Sequence, residues 1–223
     1  MRVAIVVFPG SNCDRDIFEA IKSISKKLPK FIWHKETNIE NFDLIIIPGG
    51  FTFGDYLRCG ALASNSPVIK SIRNHASRGG AILGICNGFQ ILIESGLLKG
   101  ALMRNSSLNF ICRDVIIKTA NTKTIFTNKT EISKMPIAHN EGNYFATSDQ
   151  IKKIEDNDQI AFQYCDANGN INDQSNPNGS IKNIAGVFNE KKNVLGMMPH
   201  PERAAEYMHG CDDGKRIFES LIN

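Results

Sequence analysis

Residues 81–90, Ala-Ile-Leu-Gly-Ile-Cys-Asn-Gly-Phe-Gln, decide the reading of this chain. An apolar run from Ala81 to Ile85 meets a Gly-x-Cys-x-Gly turn centred on Cys86, and a helix-forming run, Phe89 to Ser95, follows. Glycines at such a turn permit a sharp bend that a Cβ would obstruct. The bend lifts the sulfur out of a strand and sets it at a helix N-terminus. There the unpaired N–H groups and the helix dipole favour a thiolate. The pattern is the cysteine counterpart of the Gly-x-Ser-x-Gly nucleophile elbow. Without this setting Cys86 would read as core filler, since free cysteine is among the most buried residue types.

The flanking segments extend the same architecture. Val3 to Phe8 is a continuous apolar run closed by Pro9-Gly10, and Asp43 to Ile47 is another, closed by Pro48-Gly49-Gly50. Both read as strands buried on two faces, as in parallel sheets. Between them, Asp14 to Leu28 has helical spacing (Ile17, Ala20, Ile21, Ile24, Leu28), and Phe31 to Trp33 is a short strand. Ser66 to Ser77 reads as a helix with Pro67 at its start. This β-α-β alternation predicts an α/β fold: an open, mostly parallel twisted sheet with helices on both faces.

The second half predicts added antiparallel strands. Phe110 to Lys118 is a long strand, and Asn121 to Lys134 is a Thr-rich loop with a short strand. Asp166 to Lys182 is an Asn- and Gly-rich hairpin loop. Ile184 to Phe188 and Val194 to Met198 form a β-hairpin, and Asp213 to Ile222 is a closing helix. No repeat or linker interrupts the chain, so residues 1–223 read as a single domain.

Composition excludes several classes. The net charge of +3 and the absence of a long basic run argue against a nucleic-acid partner. Lys26-Lys27 and Lys191-Lys192 read as solvated surface. The six cysteines include no CxxC pair, so no paired-cysteine zinc site is expected, and no metal. A chain of this size needs no disulfide staple, which favours reduced thiols and a cytoplasmic location. The apolar N-terminal run is broken too early for a signal peptide, and no run approaches the roughly 20 residues of a membrane span.

A second chemical segment is Met198-Pro199-His200-Pro201-Glu202. It follows a strand end, where open α/β sheets gather their chemistry. Proline pushes the residue before it into an extended conformation, which applies to both Met198 and His200. Extended geometry puts positions i and i+2 on one side, so Glu202 can orient the His200 imidazole. A base held by a carboxylate is what a nucleophilic thiol needs. The glycines of Pro48-Gly49-Gly50-Phe51 can turn a backbone N–H toward a ligand. The Gly50 and Asn87 N–H groups are therefore the expected oxyanion hole. His139, in Pro136 to Gly142, is expected to line the site, whereas His34 and His75 read as solvated residues within structural elements and His209 as a loop residue. Cys13 is a rival nucleophile lacking the elbow spacing, and Cys59 is a third.

Together, Gly84 to Gln90 and Pro199 to Glu202 resemble the class I (triad) glutamine amidotransferases, whose sheet is flavodoxin-like. Phe8 to Asp14, Pro48 to Tyr56, Arg104-Asn105, Asn189-Glu190 and Met198 to Arg203 narrow the resemblance to the glutaminase subunits of phosphoribosylformylglycinamidine synthases, over nearly the whole chain. One departure is Asn140, standing where that pattern has glycine. The resemblance implies that Cys86 attacks glutamine and forms a thioester, with His200 and Glu202 managing the proton. It further implies that Gln90, His139 and Asn140 contact the bound glutamine.

The chain has no Gly-x-x-x-x-Gly-Lys-Ser/Thr phosphate cradle. No cofactor is therefore expected here. The resemblance implies a separate synthetase subunit carrying ATP and Mg, with a small third subunit completing the complex in purine biosynthesis. Two other readings stay open: a free-standing cysteine hydrolase such as a γ-glutamyl peptidase, which motif chemistry alone does not exclude, and a catalytically silent binding module. The intact Cys86, His200 and Glu202 set argues against silence.

Overall fold

The computed structural model describes residues 1–25 and 27–222. In chain order the elements are β1 (Val3–Val7), α1 (Asp14–Ile24), β2 (Lys30–Trp33), β3 (Leu44–Ile47), α2 (Pro67–Ser77), β4 (Ala81–Ile85), α3 (Asn87–Glu94) and β5 (Ala101–Met103). They continue with β6 (Ile111–Thr119), β7 (Ile132–His139), β8 (Asn143–Phe145), α4 (Ser148–Asp156), β9 (Ile160–Cys165), β10 (Ile184–Phe188), β11 (Val194–Met197) and α5 (Lys215–Ile222).

A nine-stranded sheet runs β2-β1-β3-β4-β11-β10-β9-β6-β7. The contacts from β2 through β11 are parallel, and those from β11 through β7 are antiparallel. The parallel half is built from the continuous apolar runs: every residue of β3 and β4 is buried, and all of β1 except Val7. A fully buried isoleucine contributes about 1.5–3 kcal/mol, so these runs have no stable alternative on the surface. The chain steps from β1 outward to β2, but from β3 inward to β4. Right-handed crossovers in opposite directions put α1 and α2 on opposite faces.

The expected helix from Asp14 stops at Ile24, where Ser25 turns extended (φ −93°, ψ 141°). Pro29 then keeps Leu28 out of helical geometry, and Leu28 is exposed. Lys26 lies outside the described residues. β7 is longer than the short strand read in the Thr-rich region, and it pairs along nearly all of β6. The Thr-rich loop before it is tied by hydroxyl pairs, Thr119–Thr130 at 2.9 Å and Thr124–Thr127 at 2.7 Å. Four elements, β5, β8, α4 and β9, had no reading from sequence. The α4 helix is opened by a reciprocal Thr147–Gln150 capping box. The β9 strand fills the place between β10 and β6.

His34 and His75 are not solvated; both are buried. His34 Nδ1 bonds Ser66 Oγ at 3.0 Å, and the His75 ring fills the space above Gly80, where a Cβ would meet it at 2.1 Å. His209 is exposed in a short turn. Among the described residues, no helix is long and apolar enough to cross a membrane.

Register explains why two distant segments meet. β4 and β11 are parallel neighbours, with Gly84 opposite Gly196 and Ile85 opposite Met197. Their C-terminal ends therefore finish side by side, delivering Cys86 and the Met198-to-Glu202 segment to one edge. β3, on the other side of β4, delivers Gly49-Gly50 to the same edge. This is the carboxyl end of the parallel strands, where ligands bind in such sheets.

Candidate active site

Cys86 sits alone between β4 and α3 with φ 50° and ψ −105°. A non-glycine residue held there costs about 1–3 kcal/mol, and such strain clusters at functional sites. The left-handed turn is thus made by the cysteine, not by the flanking glycines, neither of which has a positive φ. Those glycines are needed for space. A Cβ on Gly88 would lie 2.0 Å from the Ile47 carbonyl oxygen, and one on Gly84 would lie 2.5 Å from Leu92 Cδ1. They let α3 press against β3 and β4. The Met197 carbonyl accepts from Cys86 N–H at 2.8 Å, pinning the turn to β11.

His200 is extended (φ −101°, ψ 90°), as expected before Pro201. Its Nδ1 lies 2.7 Å from Glu202 Oε1, and both side chains are almost fully buried. Burial alone would lower the His200 pKa. The Glu202 carboxylate, helped by the nearby Cys86 sulfur, outweighs that and raises it well above the ordinary value. Among the described residues, the buried His200 Nε2 has no hydrogen-bond partner. The Cys86 thiol points instead to the Ala138 carbonyl at 3.6 Å. Cys86, His200, Gly50, Ala138, Cys13 and Arg203 all line one cavity of about 170 Å³.

Gly50 (φ 154°) packs on the turn after β1, where a Cβ would meet the Gly10 carbonyl oxygen at 2.6 Å. Among the described residues, neither the Gly50 nor the Asn87 N–H donates a hydrogen bond. Asn87 is the first residue of α3, so its N–H is one of the helix's unpaired donors. Its side chain locks the neighbouring loop: Oδ1 accepts from Thr52 N–H at 3.2 Å, and Nδ2 donates to Gln90 Oε1 at 2.8 Å. Gln90 Nε2 donates in turn to the Glu141 carbonyl at 2.8 Å.

His139 lies at the end of β7 and is buried. Asn105, fully buried, fixes its tautomer. The Asn105 Nδ2 donates to the His139 and Asn109 carbonyls, and its Oδ1 accepts from Gly142 N–H at 3.2 Å. With the amide so oriented, His139 Nδ1, 3.0 Å from that oxygen, must carry the proton. Its Nε2 is then a buried acceptor without a partner. Burial, with the charge of His200 nearby, pushes the His139 pKa down to about 4. Asn140 is exposed, and only its backbone carbonyl is engaged, by Asn105 N–H at 2.9 Å.

The pattern of the CobB/CobQ-like glutamine amidotransferase domain matches residues 1–212. The chain belongs to this glutamine amidotransferase family. It is 54% identical to the phosphoribosylformylglycinamidine synthase subunit PurQ of Pelagibacter ubique, covering 100% of this chain and 99% of that one. It is 51% identical to the subunit of that name from Chlorobaculum parvum, covering 100% and 89%. The solved structure of PurLQS from Thermotoga maritima superposes with a TM-score of 0.88 at 44% identity, covering 100% of this chain and 97% of that chain.

Within this amidotransferase the rival thiols have poor surroundings. Burial raises the Cys13 pKa, and burial with the charges of Asp55 and Glu141 pushes Cys59 far up. Two further residues of the site have placements that their sequence reading did not give. Arg104-Asn105 stood out only as part of a family resemblance, yet Asn105 organises His139. Cys13 Sγ lies 3.8 Å from His200 Nδ1, a proximity that needs β1 and β3 as neighbours and has no sequence signature.

Proposed function

We propose that this chain is the glutaminase subunit of a phosphoribosylformylglycinamidine synthase. It hydrolyses glutamine to glutamate and ammonia, and a synthetase subunit uses the ammonia to convert formylglycinamide ribonucleotide to formylglycinamidine ribonucleotide. The observation that carries this reading is Cys86 held at a strained elbow, beside a buried His200–Glu202 pair 2.7 Å apart, in a chain matching PurQ subunits end to end.

In this mechanism the Cys86 thiol turns from Ala138 to His200 Nε2 and gives up its proton, forming the thiolate–imidazolium pair that the raised basicity of His200 favours. The thiolate attacks the side-chain amide carbon of glutamine. The oxyanion that forms takes hydrogen bonds from the Gly50 and Asn87 N–H groups, both free to donate. His200 returns the proton to the amide nitrogen, the C–N bond breaks, and ammonia leaves a Cys86 thioester. Water attacks that thioester, giving its proton to His200, and glutamate departs. Glu202 keeps the Nδ1 proton in place and stabilises each imidazolium. Gln90, His139 and Asn140 bear on the amino-acid end of the substrate. Gln90 acts through an amide already oriented by Asn87, and Asn140 through backbone, since its side chain faces solvent.

ATP and Mg²⁺ belong to the synthetase partner, PurL, with PurS as the small subunit, and the complex is cytoplasmic. The test is reconstitution. The complete complex with Cys86→Ala should lose glutamine-dependent product formation while keeping synthesis from added ammonium. Loss of both activities, or retention of both, contradicts the assignment. A free-standing peptidase on this scaffold would instead cleave γ-glutamyl peptides with no response to the synthetase.

A further inference from the structure

Behind the imidazole of His200 lies a second thiol that the mechanism does not use. Cys13 Sγ, His200 Nδ1 and a Glu202 carboxylate oxygen all lie within 4.8 Å of one another. All three residues are buried. The edges measured are 3.8 Å from Cys13 Sγ to His200 Nδ1 and 2.7 Å from His200 Nδ1 to Glu202 Oε1. A tetrahedral zinc ion bonds sulfur at about 2.3 Å and nitrogen or oxygen at about 2.0–2.2 Å, which sets ligand–ligand edges of roughly 3.3–3.7 Å. The Cys13–His200 edge lies within a few tenths of an ångström of that range, and the His200–Glu202 edge must open by about 0.6 Å to reach it. The second carboxylate oxygen, Glu202 Oε2, is buried and has no partner among the described residues, so the carboxylate has unused ligand capacity.

We infer that Cys13, His200 and Glu202 form a binding site for a soft divalent cation, zinc above all, and that its occupancy switches the glutaminase off. The donor set of thiolate, imidazole and carboxylate is one that zinc accepts. Charge also balances: one thiolate and one carboxylate neutralise a dication, so the occupied site buries no net charge. The Asn12 amide oxygen, 3.1 Å from Cys13 Sγ, or a water can complete the fourth position. Gly49 keeps the space open, since a Cβ there would lie 2.7 Å from His200 Cε1 and 3.1 Å from Cys13 Sγ.

The switch follows from the tautomer, and this part rests on the glutaminase reading above. Binding displaces the Cys13 thiol proton to solvent, breaks the Nδ1–H bond that Glu202 holds, and takes the freed Nδ1 lone pair as that proton moves to Nε2. The single imidazole proton must then sit on Nε2. A protonated Nε2 cannot accept the Cys86 proton, so the nucleophile is stranded while its own sulfur stays uncoordinated. Arg203 opposes the metal. Its guanidinium donates to Cys13 Sγ at 3.2 Å and has to swing away toward Asp16, 3.5 Å from its Nε, before a cation can enter.

The test uses full-length protein and Cd²⁺, whose bond to a thiolate absorbs in the ultraviolet, with Zn²⁺ as competitor. Wild type and Cys86→Ala should each bind one equivalent with the same band. Cys13→Ser should lose that equivalent. Arg203→Gln should bind several-fold tighter. In the complex with the synthetase, the Zn²⁺ inhibition constant should rise at least tenfold in Cys13→Ser, each protein being referred to its own metal-free rate. A band that disappears in Cys86→Ala and persists in Cys13→Ser overturns the inference, as does equal inhibition of wild type and Cys13→Ser. ¹¹³Cd NMR of wild type reads the ligand set without any substitution: one sulfur with nitrogen and oxygen supports the site, and a signal lacking sulfur overturns it. The binding readouts stand whether or not the protein turns over glutamine, whereas absent metal-free turnover in the complex bears on the function alone.

Discussion

Replacing Glu202 with glutamine removes one charge and almost no volume. Glu202 Oε1 holds His200 Nδ1 at 2.7 Å, with both side chains buried, so water cannot take over the contact. A hydrogen bond to a charged group contributes about 1.5–3 kcal/mol. At about 1.4 kcal/mol per factor of ten, losing it at the imidazolium-like transition state slows the chemical step by about 10- to 150-fold. A glutamine amide can also donate to Nδ1, which favours the proton on Nε2 and removes the base. The expected fall in kcat is therefore at the upper end of that range or beyond it, with KM little changed. The assay is glutamine-dependent turnover by the complex, paired with alkylation of Cys86 across pH. His200 loses the partner that raises its pKa, so its titration should move down. The sign for stability follows. A raised histidine pKa stabilises the fold fully below about pH 6.5, and that contribution fades as pH climbs through the raised value. The stability gap between wild type and Glu202→Gln should thus narrow at alkaline pH. Turnover within twofold of wild type in a folded Glu202→Gln protein would refute the reasoning.

Three other outcomes are expected. His139 has its pKa lowered from 6.5 to about 4, so the unfolded chain binds its proton first as pH falls. Wild type should lose about 3 kcal/mol between pH 6.5 and 4 from this group alone, and His139→Gln should escape that part of the loss in denaturant melts at the two pH values. Asn105→Ala should free the His139 tautomer and leave the buried Gly142 N–H and His139 carbonyl unpaired, costing about 1–3 kcal/mol in unfolding free energy. An unchanged melt would contradict the network. Gly88→Ala drives a Cβ to 2.0 Å from the Ile47 carbonyl, a backbone contact with no flexible end to yield. It should destabilise by about 3 kcal/mol or more, whereas Gly96→Ala, open on all sides but with φ 74°, should show only the smaller cost of the left-handed backbone.

What could be read from the sequence was what local pattern determines. Continuous apolar runs named β1, β3 and β4, because strands buried on both faces have no polar positions. Pro201 told the conformation of His200, because proline constrains the residue before it whatever the surroundings. The β9 strand and the α4 helix escaped, although Thr147 and Gln150 form a capping box that a closer reading of the pattern contains. The true length of β7 was hidden because polar Ser133 and His139 face in with Met135 and Ile137, while apolar Ile132, Pro136 and Ala138 share the outer face with Lys134, which blurs the polar–apolar alternation. The role of Asn105 and the approach of Cys13 to His200 depend on strands brought together from distant parts of the chain. No spacing rule reports such contacts. The elbow was legible in position and in its need for glycines, since a Cβ at Gly84 or Gly88 would obstruct it, whereas the strained dihedral at Cys86 itself left no signal.

The central claim is that Cys86 is the sulfur that carries the glutamyl group. The most direct measurement is acid-quench mass spectrometry of the full complex during glutamine turnover, followed by peptide mapping. A single glutamyl adduct on the peptide containing Cys86, absent in Cys86→Ala and retained in Cys13→Ser, is the predicted result. An adduct on Cys13, or undiminished glutamine turnover in Cys86→Ala, would contradict it.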